Sequence, residues 1–161
     1  AHGTVDTGLD LSHYVRAAVT PNVGGWDLGA GIQYWGGETK VGDTASIPSQ
    51  IYVTNAMAVD AQAQGAVGSM PLGVYLSWAN APEADSGSTK TNLFNSSTTD
   101  AISAIALSAE LGVVPNKATV GAGYRAGTDG AGDSDNAIMI GATYQVCSEC
   151  AASVKPSDRE R

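Results

Sequence analysis

Cationic side chains are scarce in this sequence: Lys and Arg total 8 against 16 Asp and Glu, for a net charge of −8. That excludes the basic footprint of a nucleic-acid-binding domain. Charged residues of both signs make up only 15% of the chain, where ordinary soluble domains carry about 25%. No apolar run approaches the ~18–20 residues that a transmembrane helix needs, and mean hydropathy is near zero. A helical membrane protein is therefore excluded. A transmembrane barrel gives the same bland average, because each strand is apolar on one side only. Cysteine is limited to Cys147 and Cys150, one local pair rather than a disulfide framework. The chain opens Ala-His-Gly without an initiator Met; either a signal was removed or this is an internal piece of a longer protein.

What the sequence has is alternation. Seven segments keep a period of two, the signature of strands with one apolar face. The first spans 4–20, with Val5, Leu9, Leu11, Val15, Ala17 and Val19 opposite Asp6, Asp10, Ser12 and Arg16. The second, 26–35, sets Trp26, Leu28, Ala30, Ile32 and Tyr34 against Asp27 and Gln33. The third, 51–67, sets Val53, Met57, Val59, Ala61 and Val67 against Asp60, Gln62 and Gln64. The others are 72–80 around Leu76 and Trp78, 101–113 around Leu107 with Glu110 opposite, 118–125 around Val120 and Tyr124 with Arg125 opposite, and 136–146 around Ile140 and Tyr144.

The connectors alternate in length. Those at 21–25, 68–71 and 114–117 are short and rich in Pro, Gly or Asn, and those at 36–50, 81–100 and 127–135 are longer and polar. Short turns on one side and long loops on the other are the connector pattern of outer-membrane barrels. The expectation is an all-β, antiparallel up-and-down meander over 1–146, about seven strands of an incomplete transmembrane β-barrel, followed by an atypical, unpaired tail at 147–161. The first and seventh strands then run the same way, so closure needs at least one more strand.

Alternation alone also fits a soluble sandwich, and the polar face arbitrates. A water-facing sheet usually carries Lys and Glu to block edge association. Here Lys40, Lys90, Lys117 and Lys155 are all read into connectors or the tail, and the polar face is Gly, Ser, Thr, Gln and Asp. That composition suits a wet, narrow lumen. Expected lumen-facing groups are Asp6, Asp10, Arg16, Asp27, Gln33, Asp60, Gln62, Gln64, Glu110 and Arg125; the acids outnumber the arginines, which favours cations. Charges that merely pair across strands and stiffen the wall are the competing reading. Tyr34, Trp78 and Tyr124 fall at outer ends of apolar faces, and Trp26 and Tyr144 at inner ends. Rings at both edges of an aliphatic band are the girdles of a membrane barrel. Trp26 to Tyr34 covers roughly 19 Å of membrane normal at ~3.3 Å per residue and ~45° tilt.

These residues carry a likeness. The stretch 108–127, Ser-Ala-Glu-Leu-Gly-Val-Val-Pro-Asn-Lys-Ala-Thr-Val-Gly-Ala-Gly-Tyr-Arg-Ala-Gly, and then 135–144, Asp-Asn-Ala-Ile-Met-Ile-Gly-Ala-Thr-Tyr, resembles the C-terminal part of proteobacterial general porins. The stretch 73–79, Gly-Val-Tyr-Leu-Ser-Trp-Ala, is similar to an earlier strand of that kind. The resemblance implies a diffusion channel for small solutes or ions in lipid of the bacterial outer membrane, as a monomer or homotrimer, with no cofactor. Porins usually run to 16 strands, so it also implies about nine strands beyond those visible. Some relatives carry a fused c-type cytochrome; no Cys-x-x-Cys-His occurs here.

Other chemistry is thinly represented. Cys147-x-x-Cys150 has the spacing of half a zinc site or a redox pair, but lacks further ligands nearby. Asp129, Asp133 and Asp135 share one loop without the Glu and spacing of an EF-hand. Asn95-Ser96-Ser97 matches the glycosylation sequon, a common chance match. With His2 and His13 the only histidines, no catalytic triad can be assembled, and no enzyme is expected. The alternative to a channel is a soluble extracellular β-protein, such as an adhesin or pilin-like subunit.

Overall fold

The computed structural model describes residues 12–41, 50–84, 90–115 and 117–146. They form one antiparallel meander without a helix, so no helix is long and apolar enough to cross a membrane. The strands are β1 (His13–Val19), β2 (Asn22–Val23), β3 (Trp26–Val41), β4 (Gln50–Val67), β5 (Met70–Ala81), β6 (Lys90–Asn92), β7 (Ile102–Val114), β8 (Ala118–Thr128) and β9 (Ser134–Tyr144). The sheet order is β1-β3-β4-β5-β7-β8-β9, with β2 and β6 as side pairings. The sheet is open: β1 and β9 are not paired with each other. Both run from the long-connector end to the tight-turn end.

Turn chemistry fixes the register. Gly24 and Gly25 take φ of 60° and 82°, the left-handed pair that a two-residue hairpin turn demands and that side chains with a Cβ resist. Pro21 lacks an N–H and interrupts the edge strand, so β2 is a separate rung set pairing Asn22 with Asp27 and Val23 with Trp26. At the far side, a bulge between Gly112 and Val114 leads into a turn closed by Lys117 N–H donating to the Val114 carbonyl at 3.0 Å.

Several expectations need correction. The connector read at 36–50 is shorter, because β3 and β4 continue their ladder to Val41 and Gln50. Backbone hydrogen bonding does not stop where the apolar alternation stops. Lys40 therefore lies in β3 and Lys90 in β6, not in connectors. Glu38 and Lys40 share a face with Tyr34 but lie beyond it, and Glu38 pairs with Lys90 at 3.1 Å. Strands of two and three residues, β2 and β6, are too short to carry a readable period. The expectations for Asp6, Asp10 and Leu9, and for the tail at 147–161, lie outside the described residues.

The long connector after β5 returns to the sheet. Beyond Asn80 the β5 edge of β4 is vacant, and β6 fills it in parallel, matching Ile51, Tyr52 and Val53 with Lys90, Thr91 and Asn92. Asn92, 4% exposed, completes the join. Its amide donates to the Asn55 carbonyl at 2.9 Å and the Pro82 carbonyl at 2.8 Å, and its Oδ1 accepts from Phe94 N–H at 3.1 Å. Asn95, 2% exposed, donates to the Ala81 and Asp100 carbonyls and accepts from Ser97 N–H. Its amide is thus sequestered, which removes the sequon at this position from use. Thr99 Oγ1 and Ser97 Oγ both donate to the Gly130 carbonyl, tying this connector to the β8–β9 loop.

Replacing Asn92 with Leu should cost about 1–3 kcal/mol, because it strands buried backbone groups without partners. Urea unfolding of the folded chain in detergent micelles reads this directly, and a loss under about 0.5 kcal/mol would show the join is dispensable.

Candidate functional site

Opposed residues of an antiparallel pair point to the same side, so the register assigns every side chain to a face. One rung joins Ala17, Ile32, Val59, Trp78, Ile105 and Ala126. Another joins Leu28, Ala63, Val74, Ala109, Ala122 and Ile140. Six pairings in succession keep the bulky aliphatics together without a slip.

That face is uncovered. Among the described residues the buried hydrophobics are Ala56, Ala81 and Ala84 alone, while Ile32, Val59, Leu76, Leu107 and Val120 are exposed, and Ile138 and Ile140 reach 77% and 83%. A soluble β-protein would bury such a face under a second layer. Trp26, Tyr34, Trp78, Tyr124 and Tyr144 all belong to it. Trp26 lies over Gly65, where a Cβ would overlap the indole, and the His13 ring meets Tyr34 at 5.8 Å between centroids.

The aromatics are staggered. The rung of Tyr34 passes through Met57, Asn80, Ser103 and Thr128. Trp78 is two residues nearer the tight turns than Asn80, and Tyr124 is four residues nearer than Thr128. The drop is therefore four residues over four strand-to-strand steps. Trp26 and Tyr144 are displaced in the same sense: the rung of Trp26 reaches Ala142, and Tyr144 lies two residues beyond.

The opposite face is polar. Arg16 is opposite Gln33, Asp60 is opposite Gly31 and Ser77, Gln62 is opposite Gly29 and Tyr75, and Gln64 is opposite Asp27. Glu110 is opposite Gly73 and Gly121, and Arg125 is opposite Ala106 and Ala137. All the described groups expected on the lumen face thus share one side. Small residues make room for their long neighbours: a Cβ at Gly31 would lie 2.9 Å from the Asp60 carboxylate, and one at Gly29 2.8 Å from Gln62. Shallow hollows of about 420 and 200 Å³ lie along this side, at Ser108, Glu110 and Gly121 and at Asp60, Gln62 and Tyr75.

Part of its charge is internally satisfied. Asp60 receives Arg16 at 3.8 Å and the Gln33 amide at 3.2 Å, and Gln33 in turn accepts from the Tyr14 hydroxyl at 2.9 Å. Asp27 accepts from Asn22 at 2.8 Å. Arg125 pairs with Asp135, a partner that the alternation did not single out. Glu110 makes no ion pair with the described residues. Asp27, Asp60, Glu110 and Asp135 face Arg16 and Arg125, an excess of two negative charges on this side. In the β8–β9 loop, Asp129 Oδ1 accepts from Ala131 and Asp133 N–H, so it shapes the turn. Among the described residues no three His, Cys, Asp or Glu groups converge on a metal-sized site.

Sequence reasoning missed a second aromatic group, on the polar face. Trp35 meets Tyr14 at 5.0 Å and Phe94 at 5.7 Å between ring centroids. Tyr14 and Trp35 were legible as neighbours of polar positions; Phe94 arrives only through the fold of its connector. No family model, curated protein or solved structure matches the chain.

The two faces make opposite demands on a substitution. Val120→Arg, on the apolar face, should cost about 2–4 kcal/mol of folding into phospholipid vesicles if it lies near the midplane. Thr119→Arg, its neighbour on the polar face, should cost under about 1 kcal/mol. Equal effects measured by folding titrations would show that lipid does not meet the apolar face.

Proposed function

We propose that this sheet is a section of the wall of an outer-membrane β-barrel channel, with its apolar face against lipid and its polar face lining a water-filled passage. The observation that carries this reading is the stagger of the aromatic rings. A shift of one residue per strand, at ~3.3 Å along the strand and ~4.8 Å between strands, corresponds to a tilt of about 35°. Transmembrane barrels tilt their strands by ~35–45°. Tyr34, Trp78 and Tyr124, which drift across the rungs at this slope, therefore lie level at one depth of a bilayer, while Trp26 and Tyr144 drop two residues over five steps. With that tilt, the eight residues from Trp26 to Tyr34 subtend about 22 Å of membrane normal, close to the ~25 Å apolar band of such barrels.

Three further features support it. The exposed aliphatics need no second layer when the solvent is hydrocarbon, since lipid tails are as apolar as Leu. Glu38, Lys40 and Lys90 gather just past Tyr34, where a chain leaves the bilayer. The small residues on the polar side suit the inside of a curve. The likeness of 108–144 to general porins points the same way. Both edges of the described sheet carry unpaired backbone groups, which cost several kcal/mol each in hydrocarbon. The wall is therefore completed by further strands, and two edges running the same way require an odd number of them to keep every pairing antiparallel. The passage conducts small solutes and ions, with a preference for cations set by Asp27 and Glu110 once Arg16 and Arg125 are paired. It performs no catalysis.

Tryptophan depth decides the matter. Single-tryptophan variants retaining Trp78 or Trp35 are folded into vesicles of phospholipid brominated on its acyl chains. Trp78 should be quenched by bromine and shielded from aqueous iodide, and Trp35 should behave in the opposite way. Quenching of Trp78 by iodide, with none by brominated lipid, would defeat the membrane reading and leave a soluble β-protein.

A further inference from the structure

Besides Gly, Ser, Ala and Gln the polar face carries Tyr52 and Tyr75, and at its long-connector end three aromatic rings lie in series. Trp35 is the middle one, with rings tilted by 36° to Tyr14 and 58° to Phe94. Cohesion of the connector does not explain them. Asn92 and Asn95 already anchor that connector through buried amide hydrogen bonds. The rings also keep much of their surface in water: Tyr14 is 49% exposed and Phe94 45%. Clustered aromatic surface left open to water is a cost that a ligand can recover by covering it.

The rim around the strip defines the ligand. Arg16, Gln33 and Asp60 form a connected set beside Tyr14 and Trp35, and the Tyr14 hydroxyl is part of it. On the other side Ser12 and Thr54 hydroxyls meet at 3.3 Å. Carboxylate, amide, guanidinium and hydroxyl groups in one patch match the vicinal hydroxyls of a sugar, whose C–H faces stack on aromatic rings. A purely aromatic solute would use the rings and leave the polar groups idle. A small ion would use the polar groups and leave the rings idle.

We propose that the Tyr14–Trp35–Phe94 strip is a stacking subsite for oligosaccharides, with Asp60, Gln33 and Arg16 bonding to the sugar hydroxyls. This deepens the channel reading and rests on it for a water-filled polar face. The strip lies at the end with the long connectors, so a sugar arriving from that end meets it before the stretch around Gln62, Tyr75 and Glu110.

Maltohexaose is the probe, titrated into the full 161-residue chain folded in phospholipid vesicles. Emission is read from a variant in which Trp26 and Trp78 are replaced by Phe, and heat is read by calorimetry on the unmodified chain. Saturable binding near millimolar affinity is expected, weakened about tenfold by Trp35→Leu, the size of one lost stacking contact. Trp35→Phe should recover most of that loss, and Trp78→Leu, on the other face, should leave the affinity unchanged. Circular dichroism confirms that each variant retains its strands. No binding by either readout at about 10 mM sugar, or wild-type affinity in Trp35→Leu, would overturn the proposal. Tighter binding of phenol than of maltohexaose would also overturn it. Lipid quenching of Trp78 without sugar binding leaves the channel standing and removes the subsite. Sugar binding without lipid quenching does the reverse.

Discussion

Everything in this structure depends on register. A strand presents alternate residues to opposite sides, so a slip of one residue would turn a whole apolar set to the wrong face. Across six successive pairings, from β1 to β9, no such slip occurs where the bulky residues lie. Two-residue turns at Gly24–Gly25 and Gly68–Ser69 set two of the hairpins, and the bulge at Gly112–Val114 is confined to the last rungs before a turn. Among the described residues the result is one layer with two chemically distinct surfaces and no dry interior.

That division places the burden of stability on the surroundings. A fully buried Val, Leu or Ile contributes about 1.5–3 kcal/mol relative to exposure in water, and here these residues are left uncovered by the described residues. The internal contribution comes from the hydrogen-bonded ladder. The two open edges are the same problem seen sideways. An edge strand in water can rely on solvation, and β9 is such an edge with Ile138 and Ile140 exposed beside it.

Polar and aromatic groups are arranged along the sheet rather than scattered over it. The tight-turn half of the polar face holds Gln62, Gln64, Asp27 and Glu110, and the other half holds the Arg16–Asp60–Gln33–Tyr14 chain and the Trp35 cluster. The register separates the acids Asp27 and Glu110 from the aromatic rings of that cluster by several rungs. The connector carrying Asn92 and Asn95 links the two levels of organisation: its buried amides close the gap where β5 ends, and its Phe94 completes an aromatic group begun on β1 and β3.

The alternating pattern by itself determined the principal strands, their meander order and the division of faces, but not the short β2 and β6. Ile32, Val59, Leu76, Leu107 and Ile140 read as one set because a two-residue period is local, and hairpin connections leave little choice of neighbour. That Trp26, Tyr34, Trp78, Tyr124 and Tyr144 share this face was legible for the same reason. Tertiary structure alone decided three things. It extended β3 and β4 past the apolar stretch, since backbone pairing carries no side-chain signature. It folded the connector after β5 back onto β4, because β6 and the two buried asparagines are defined by distant carbonyls such as those of Asn55, Pro82 and Asp100. It also aligned Tyr34, Trp78 and Tyr124 on a slope, which depends on the offset between strands and is absent from any one of them. Local chemistry specifies which side of a strand a residue occupies; only the assembled ladder specifies how far along its neighbour that residue lies.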